Sequence, residues 1–147
     1  MTKYVLDTNL YIRAFRSEEG KLALQGFLAS FTPSTYLSSV VAHELLVGAN
    51  TDSKARDIDA RIVEPLRKVG RLITPTHAAW TDSAGAIARM ARKENRSLRS
   101  IPKSLIHDYL LAASCREAGM TLITENVEDL KDVRRYLRFE YVPPWPK

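Results

Sequence analysis

Six residues near the amino terminus, Tyr4-Val5-Leu6-Asp7-Thr8-Asn9, limit what this chain can fold into more than any other stretch. Three apolar residues run straight into an aspartate, two small polar residues follow, and then a helix-like segment, Leu10 to Arg16. An unbroken apolar run bounded by polar turn-formers has the pattern of a short strand buried on both faces, typical of a parallel sheet. Ligands of open α/β sheets gather at the carboxyl ends of such strands, and Asp7 stands at that position. Asp is equally a favoured helix N-cap, so this stretch alone leaves Asp7 open as a cap or as a functional acid.

The rest of the chain alternates helix-like and strand-like stretches. Ser17 with Leu22, Leu24, Phe27 and Leu28 predicts a helix ending near Ser30, and Thr35-Tyr36-Leu37 reads as a second strand. Ser38 and Ser39 are N-cap candidates for a helix from Val40 to about Ala49. An amphipathic pattern through Ile58, Ile62, Val63, Leu66 and Val69 follows, which Pro65 should kink or divide. Arg71 to Thr74 is expected as a third strand, Thr76 as the cap of a helix through Ala91, and Arg92 to Lys103 as an exposed basic loop. Leu105 to Ala118 reads as a helix stopped by Gly119, Met120 to Thr124 as a fourth strand, and Val127 to Tyr136 as a charged helix. Phe139 to Val142 is expected as a last edge strand. Strands separated by helices predict one α/β domain with a mainly parallel sheet of four to five short strands.

Composition sets the class. A chain of 147 residues with 45% apolar and 27% charged residues reads as one soluble globular domain with room for a real core. No apolar run is long enough to span a membrane, and the amino-terminal residues do not read as a secretory signal. A single cysteine, Cys115, excludes an intrachain disulfide framework and fits a reducing, cytoplasmic compartment. The net charge of +5 permits nucleic-acid binding without requiring it.

Further acids lie where burial is expected. At 100° per residue, Glu44 shares a helical face with Val40, Val41, Val47 and Gly48, and Asp108 shares one with Leu105, Leu111, Ala112 and Cys115. Isolated buried carboxylates are costly, so each needs either a buried Arg or backbone amide as partner, or a shared functional site. Thr124 and Asn126 close the fourth strand, as Asp7 closes the first. Asn126 can also be an N-cap, and Asp129 a favourable first-turn acid.

Taken together, Val5-Leu6-Asp7-Thr8-Asn9, the run Ser39 to Gly48 with Glu44, the run Asp108 to Ala113, and the run Gly119 to Asn126 resemble a known family. In order and spacing they are similar to the PIN-domain ribonucleases and, within them, the VapC-type toxins of toxin–antitoxin pairs. The resemblance covers nearly the whole chain and implies a single PIN-like domain over residues 1–147. It places Asp7, Glu44 and Asp108 on the family's three acids, and Thr124 and Asn126 on its fourth motif, where many members carry Asp at the position of Asn126. Leu130 stands where a Phe is common, a packing variation.

The implied activity is Mg²⁺- or Mn²⁺-dependent hydrolysis of RNA phosphodiesters, leaving a 5′-phosphate and a 3′-hydroxyl. Such cations prefer carboxylate and water oxygens, activate water and stabilise charge in in-line displacement. On this expectation Asp7 and Asp108 ligate the metal, and Glu44 binds it directly or orients a metal-bound water. Asn126 holds a water or a weaker metal site, while Thr124 or Thr8 positions backbone or phosphate. The implied partners are a VapB-type antitoxin, an RNA substrate and a second copy in a homodimer, with DNA reached only through the antitoxin and no membrane. The alternative is a non-catalytic RNA-binding or regulatory protein of the same fold.

Other features carry less. His43 and His107 each precede a candidate acid, but helical neighbours project about 100° apart, and no H-x-x-x-H or Cys-rich spacing supports zinc. Cys115 is expected in the core. The run Arg89, Arg92, Lys93, Arg96, Arg99 and Lys103 is either a solvated face or a holder of RNA phosphates leading into Asp108.

Overall fold

The computed structural model describes all 147 residues. Strand β1 (Tyr4–Leu6) leads into helices α1 (Thr8–Arg16) and α2 (Glu18–Phe31), and β2 (Thr35–Ser38) into α3 (Ser39–Val47). Next come α4 (Asp52–Ile58), a π-helical stretch (Asp59–Val63) and α5 (Glu64–Lys68). Strand β3 (Leu72–Ile73) precedes α6 (His77–Lys93) and α7 (Lys103–Ala118); β4 (Thr121–Ile123), α8 (Val127–Arg134) and β5 (Tyr141–Val142) complete the chain.

The strands pair in the order β3-β2-β1-β4-β5, and every pair is parallel. The chain winds outward from β1 to β3 on one side, then returns to β4 and β5 on the other. Strand order therefore reverses between β1 and β4, and a crevice at the strands' carboxyl ends is expected at that switch point. Register matters here: Leu6 faces Ile123, so the next residues, Asp7 and Thr124, leave the sheet side by side. Val5, Leu6, Leu37, Leu122 and Ile123 are fully buried, as the unbroken apolar runs required. No helix is long and apolar enough to cross a membrane.

Boundaries follow local chemistry. Ser38, not Ser39, caps α3, accepting from the Val40 amide at 3.1 Å, and Thr76 caps α6 by accepting from the Ala79 amide at 3.1 Å. Pro65 divides its helix as expected: with no N–H to give and a ring that crowds the carbonyl four residues back, it follows a π-helical turn from which α5 resumes. Gly119 ends α7 in the left-handed conformation, φ 68°, which a side chain would strain. Three expectations shift. Helix α3 stops at Val47, with Gly48 as its cap, and Val47 is exposed. Arg92 and Lys93 belong to the last turn of α6, and a 3₁₀ turn (Leu98–Ser100) orders part of the basic loop. Of the expected third strand only Leu72 and Ile73 pair, because β3 is an edge with a single neighbour.

Two glycines in α2 give opposite predictions. A Cβ on Gly20 would lie 2.6 Å from the Arg13 carbonyl oxygen, where the end of α1 packs against the start of α2; one on Gly26 meets nothing within 4 Å. Gly26→Ala should stabilise by up to about 1 kcal/mol through helix propensity. Gly20→Ala should destabilise by roughly 1–3 kcal/mol through overpacking. Thermal melts of the two variants should move in opposite directions.

Candidate active site

Asp7 is fixed from three directions. Its backbone amide donates to the Ile123 carbonyl at 2.9 Å, extending the β1–β4 ladder by one bond. Its Oδ1 accepts from the Thr8 amide at 2.8 Å, which caps α1, and its Oδ2 accepts from the Thr124 hydroxyl at 2.8 Å. Thr124 Oγ1 in turn accepts from the Asn126 amide at 3.0 Å. Cap and site are thus the same residue. Burial pushes the Asp7 pKa up, and the bonds from Thr124 and Thr8 partly offset that rise.

The acids of α3 and α7 are brought to the same place. Burial raises the Glu44 pKa and the charge of Asp7 raises it further, against smaller opposing effects of Thr8 and His43. Burial is also the largest influence on Asp108, followed by the charges of Asp7, Glu44 and Asp129; together they push it up to about 7. Carboxylates from chain positions a hundred residues apart therefore repel one another across one crevice. No arginine is buried, and none of the ion pairs involves Asp7, Glu44 or Asp108.

The arrangement is a set of oxygen donors, not a closed cage. No three His, Cys, Asp or Glu side chains stand together at metal-holding spacing. The donor chemistry nevertheless fits a hard divalent cation, since carboxylate and water oxygens are its preferred ligands. One buried atom points the same way. Thr8 Oγ1 has no hydrogen-bond partner, because Glu44 is close enough to feel it but falls short of a full bond.

Several residues depart from sequence expectation. Glu44 sits at the edge of an apolar stripe formed by Val40, Val41 and Leu45, since Val47 turns outward. Asn126 stands at the N-cap position of α8, yet its side chain caps nothing. Asp129 adds its charge to Asp108 besides serving the first turn of α8, a role visible only once β4 is placed beside β1. His43 and His107 pack edge to face with ring centroids 5.7 Å apart. Cys115 is fully buried, and burial pushes its thiol up to about 12. Leu130 is buried, consistent with a packing role.

A parallel α/β domain with carboxylates gathered at its switch point is the class that fold and site define. The model of the PIN domain family matches residues 4–136, and the chain belongs to that family. No curated protein matches it in sequence. Among solved structures, VapBC from Salmonella typhimurium bound to DNA is 19% identical, with a TM-score of 0.69 over 97% of this chain and 98% of that one. FitAcB from Neisseria gonorrhoeae is 18% identical, with a TM-score of 0.69 over 98% of this chain and 99% of that one. A toxin–antitoxin complex from Klebsiella pneumoniae is 18% identical, with a TM-score of 0.57 over 99% and 100%. At these identities the likeness is one of fold.

The raised pKa of Asp108 makes a stability prediction. Between its ordinary value of 3.8 and about 7 the folded state holds a proton the unfolded chain has lost, so stability at this site falls as pH rises through that window. In chelator, Asp108→Asn should melt at or above wild type, and its advantage should grow from pH 4 to pH 8, on the order of a few kcal/mol. Added Mn²⁺ should stabilise wild type more than the variant. A variant much less stable than wild type in chelator, with an unchanged response to Mn²⁺, would make Asp108 a structural residue only.

Proposed function

We propose that this PIN-domain chain is a Mg²⁺- or Mn²⁺-dependent endoribonuclease and the toxin of a toxin–antitoxin pair. The observation that carries the reading is a buried Asp7, set beside Thr124 at the switch point and hydrogen-bonded to a hydroxyl and an amide with no cation, whose charge also pushes up the pKa of Glu44 and Asp108. Natural sequences keep such costly arrangements where function requires them. Asp7 and Asp108 would hold the cation directly, with Glu44 as a third ligand or as the group that orients a bound water. When bound, the cation supplies an activated water and stabilises charge in the in-line displacement.

The chain's own residues divide the remaining work. Thr124 and the Thr8 amide clamp both Asp7 oxygens, so the carboxylate keeps one orientation. Glu44, half-buried, is the carboxylate that can receive a proton from water as general base. The uncommitted side-chain amide of Asn126 can hold a water near Thr124.

The antitoxin has a plausible seat. Tyr11, Phe15, Leu24, Leu28, Ile62 and Leu66 line a groove of about 660 Å³ between α1–α2 and the α4–α5 segment. Phe15 and Arg16 also border a second cavity of about 430 Å³ that reaches Glu44. A segment lying in the first can continue into the second and present an Arg or Lys to the acids. DNA would be reached only through that partner.

Two experiments test the proposal. Asp7→Asn keeps a side-chain oxygen for the Thr8 amide, so it should fold normally, yet cleave cellular RNA at least about 100-fold more slowly. Wild type should cleave with Mg²⁺ or Mn²⁺ and not with chelator; cleavage that ignores chelator, or a folded Asp7→Asn protein with wild-type rates, would overturn the reading. Expressed alone, the wild-type chain should arrest growth, and its genomic neighbour should relieve the arrest. Growth that continues normally, with no small protein copurifying, would remove the toxin role.

A further inference from the structure

Three exposed arginines elsewhere pair with acids about one helical turn away, Arg61 with Asp57 at 2.8 Å, Arg67 with Glu64 at 2.7 Å and Arg135 with Asp132 at 3.9 Å, while Arg16, Arg56, Arg116 and Arg138 stand alone. Residues 89–103 are set apart by the density of their cations. Arg89, Arg92, Lys93, Arg96, Arg99 and Lys103 fall in this run, and none forms an ion pair. Its only acid, Glu94, is engaged by the Tyr136 hydroxyl, which donates to it at 2.7 Å.

The run is also built. Asn95 turns the chain at φ 52°, and the Arg96 amide donates to the Ala91 carbonyl at 2.8 Å. Ser97 caps the 3₁₀ turn, accepting from the Arg99 amide at 3.3 Å, while the Ser100 hydroxyl donates to the Ser97 carbonyl at 2.7 Å. Ile101 is buried and pins the far end. Between the cations stands Leu98, 70% exposed, an apolar contact offered to solvent.

The run leads to the site. Lys103 opens α7 and Asp108 lies five residues on, about 7.5 Å along the helix axis. A cation at a helix N-terminus is disfavoured by the helix dipole, so helix stability does not account for Lys103. Its charge acts on His107, one turn on, and it stands about 140° round the helix from Asp108. A crevice of carboxylates repels a polyanion, and fixed cations on the segment that leads to it offset that repulsion along the approach.

We propose that the strip from Arg92 to Lys103 is the substrate track: it binds the phosphates of single-stranded RNA flanking the bond to be cut, with Leu98 against an unstacked base. This rests on the ribonuclease reading for the identity of the strand, not for the binding. The cations of the strip position substrate and take no part in bond cleavage.

The test separates binding from cleavage by using the Asp7→Asn protein and a labelled single-stranded RNA oligonucleotide, titrated over a range of salt. Arg92→Gln, Lys93→Gln, Arg99→Gln and Lys103→Gln together remove four exposed charges. They should weaken binding roughly tenfold or more, and flatten the dependence of log affinity on log salt by about 3, at about 0.7 per lost phosphate contact. Removing four other exposed charges, at Arg56, Arg67, Lys68 and Lys147, should change neither by half as much. In the otherwise wild-type enzyme the strip variant should raise KM for RNA while kcat is held. Equal losses in the two variants, wild-type binding by the strip variant, or no RNA binding at all would overturn the track. Loss of antitoxin binding with RNA binding retained would also overturn it and assign the strip to the protein partner. Salt-sensitive binding through the strip without cleavage would leave the track standing and remove the nuclease reading; cleavage indifferent to the strip would do the reverse.

Discussion

The bond between Asp7 and Thr124 is the joint on which the site depends. It ties the first strand of the chain to the fourth, across a sequence separation of 117 residues, at the point where strand order reverses. The same carboxylate starts α1 by accepting from the Thr8 amide, and the backbone of the same residue continues the ladder through Ile123. Both oxygens of a buried acid are thus committed to a hydroxyl and an amide, with no cation among their partners. Hydrogen bonds lower the cost of burial without cancelling the charge, and an uncancelled charge is what a metal site needs. An arginine in place of Thr124 would stabilise Asp7 more and leave nothing for a cation to gain.

That joint explains why the first strand was so informative. A three-residue apolar run into Asp cannot sit at a solvent-facing edge, and in a parallel sheet its carboxyl end must open beside a neighbour's. Asp7, Glu44 and Asp108, with Thr124 behind, could be singled out as candidates because each acid interrupts an apolar pattern. Asp129 could not, because an acid in the first turn of a helix already has an ordinary explanation, and only the pairing of β4 with β1 sets it near Asp108. Glu44 was legible for a partly mistaken reason. Val47 seemed to extend its apolar face, but α3 stops at Gly48 and leaves Val47 in solvent. Periodicity assumes a face continues, and helix ends are where that assumption fails.

Pro65 shows the opposite limit. The sequence says that a regular helix cannot pass through it, and says nothing about how the chain will yield. Here it yields by a π-helical turn, which keeps the α4–α5 segment in one piece and lets Ile62, Pro65 and Leu66 line the groove facing α1 and α2. A clean break would have freed the second half to move away. The defect that accommodates a proline therefore also shapes one wall of that groove.

Charge is distributed by the same economy. The acids are concentrated where burial raises their cost, and the unpaired cations are concentrated on the segment that delivers one of those acids. A net charge of +5 would be unremarkable if spread evenly. Instead six of the 22 Lys and Arg fall between Arg89 and Lys103, on the segment that leads from α6 into α7 and Asp108. A dense run of cations on that segment would draw a polyanion towards the crevice. On that argument the stability given up at Asp108 and Lys103 is one expense with one cause, the handling of a phosphate backbone.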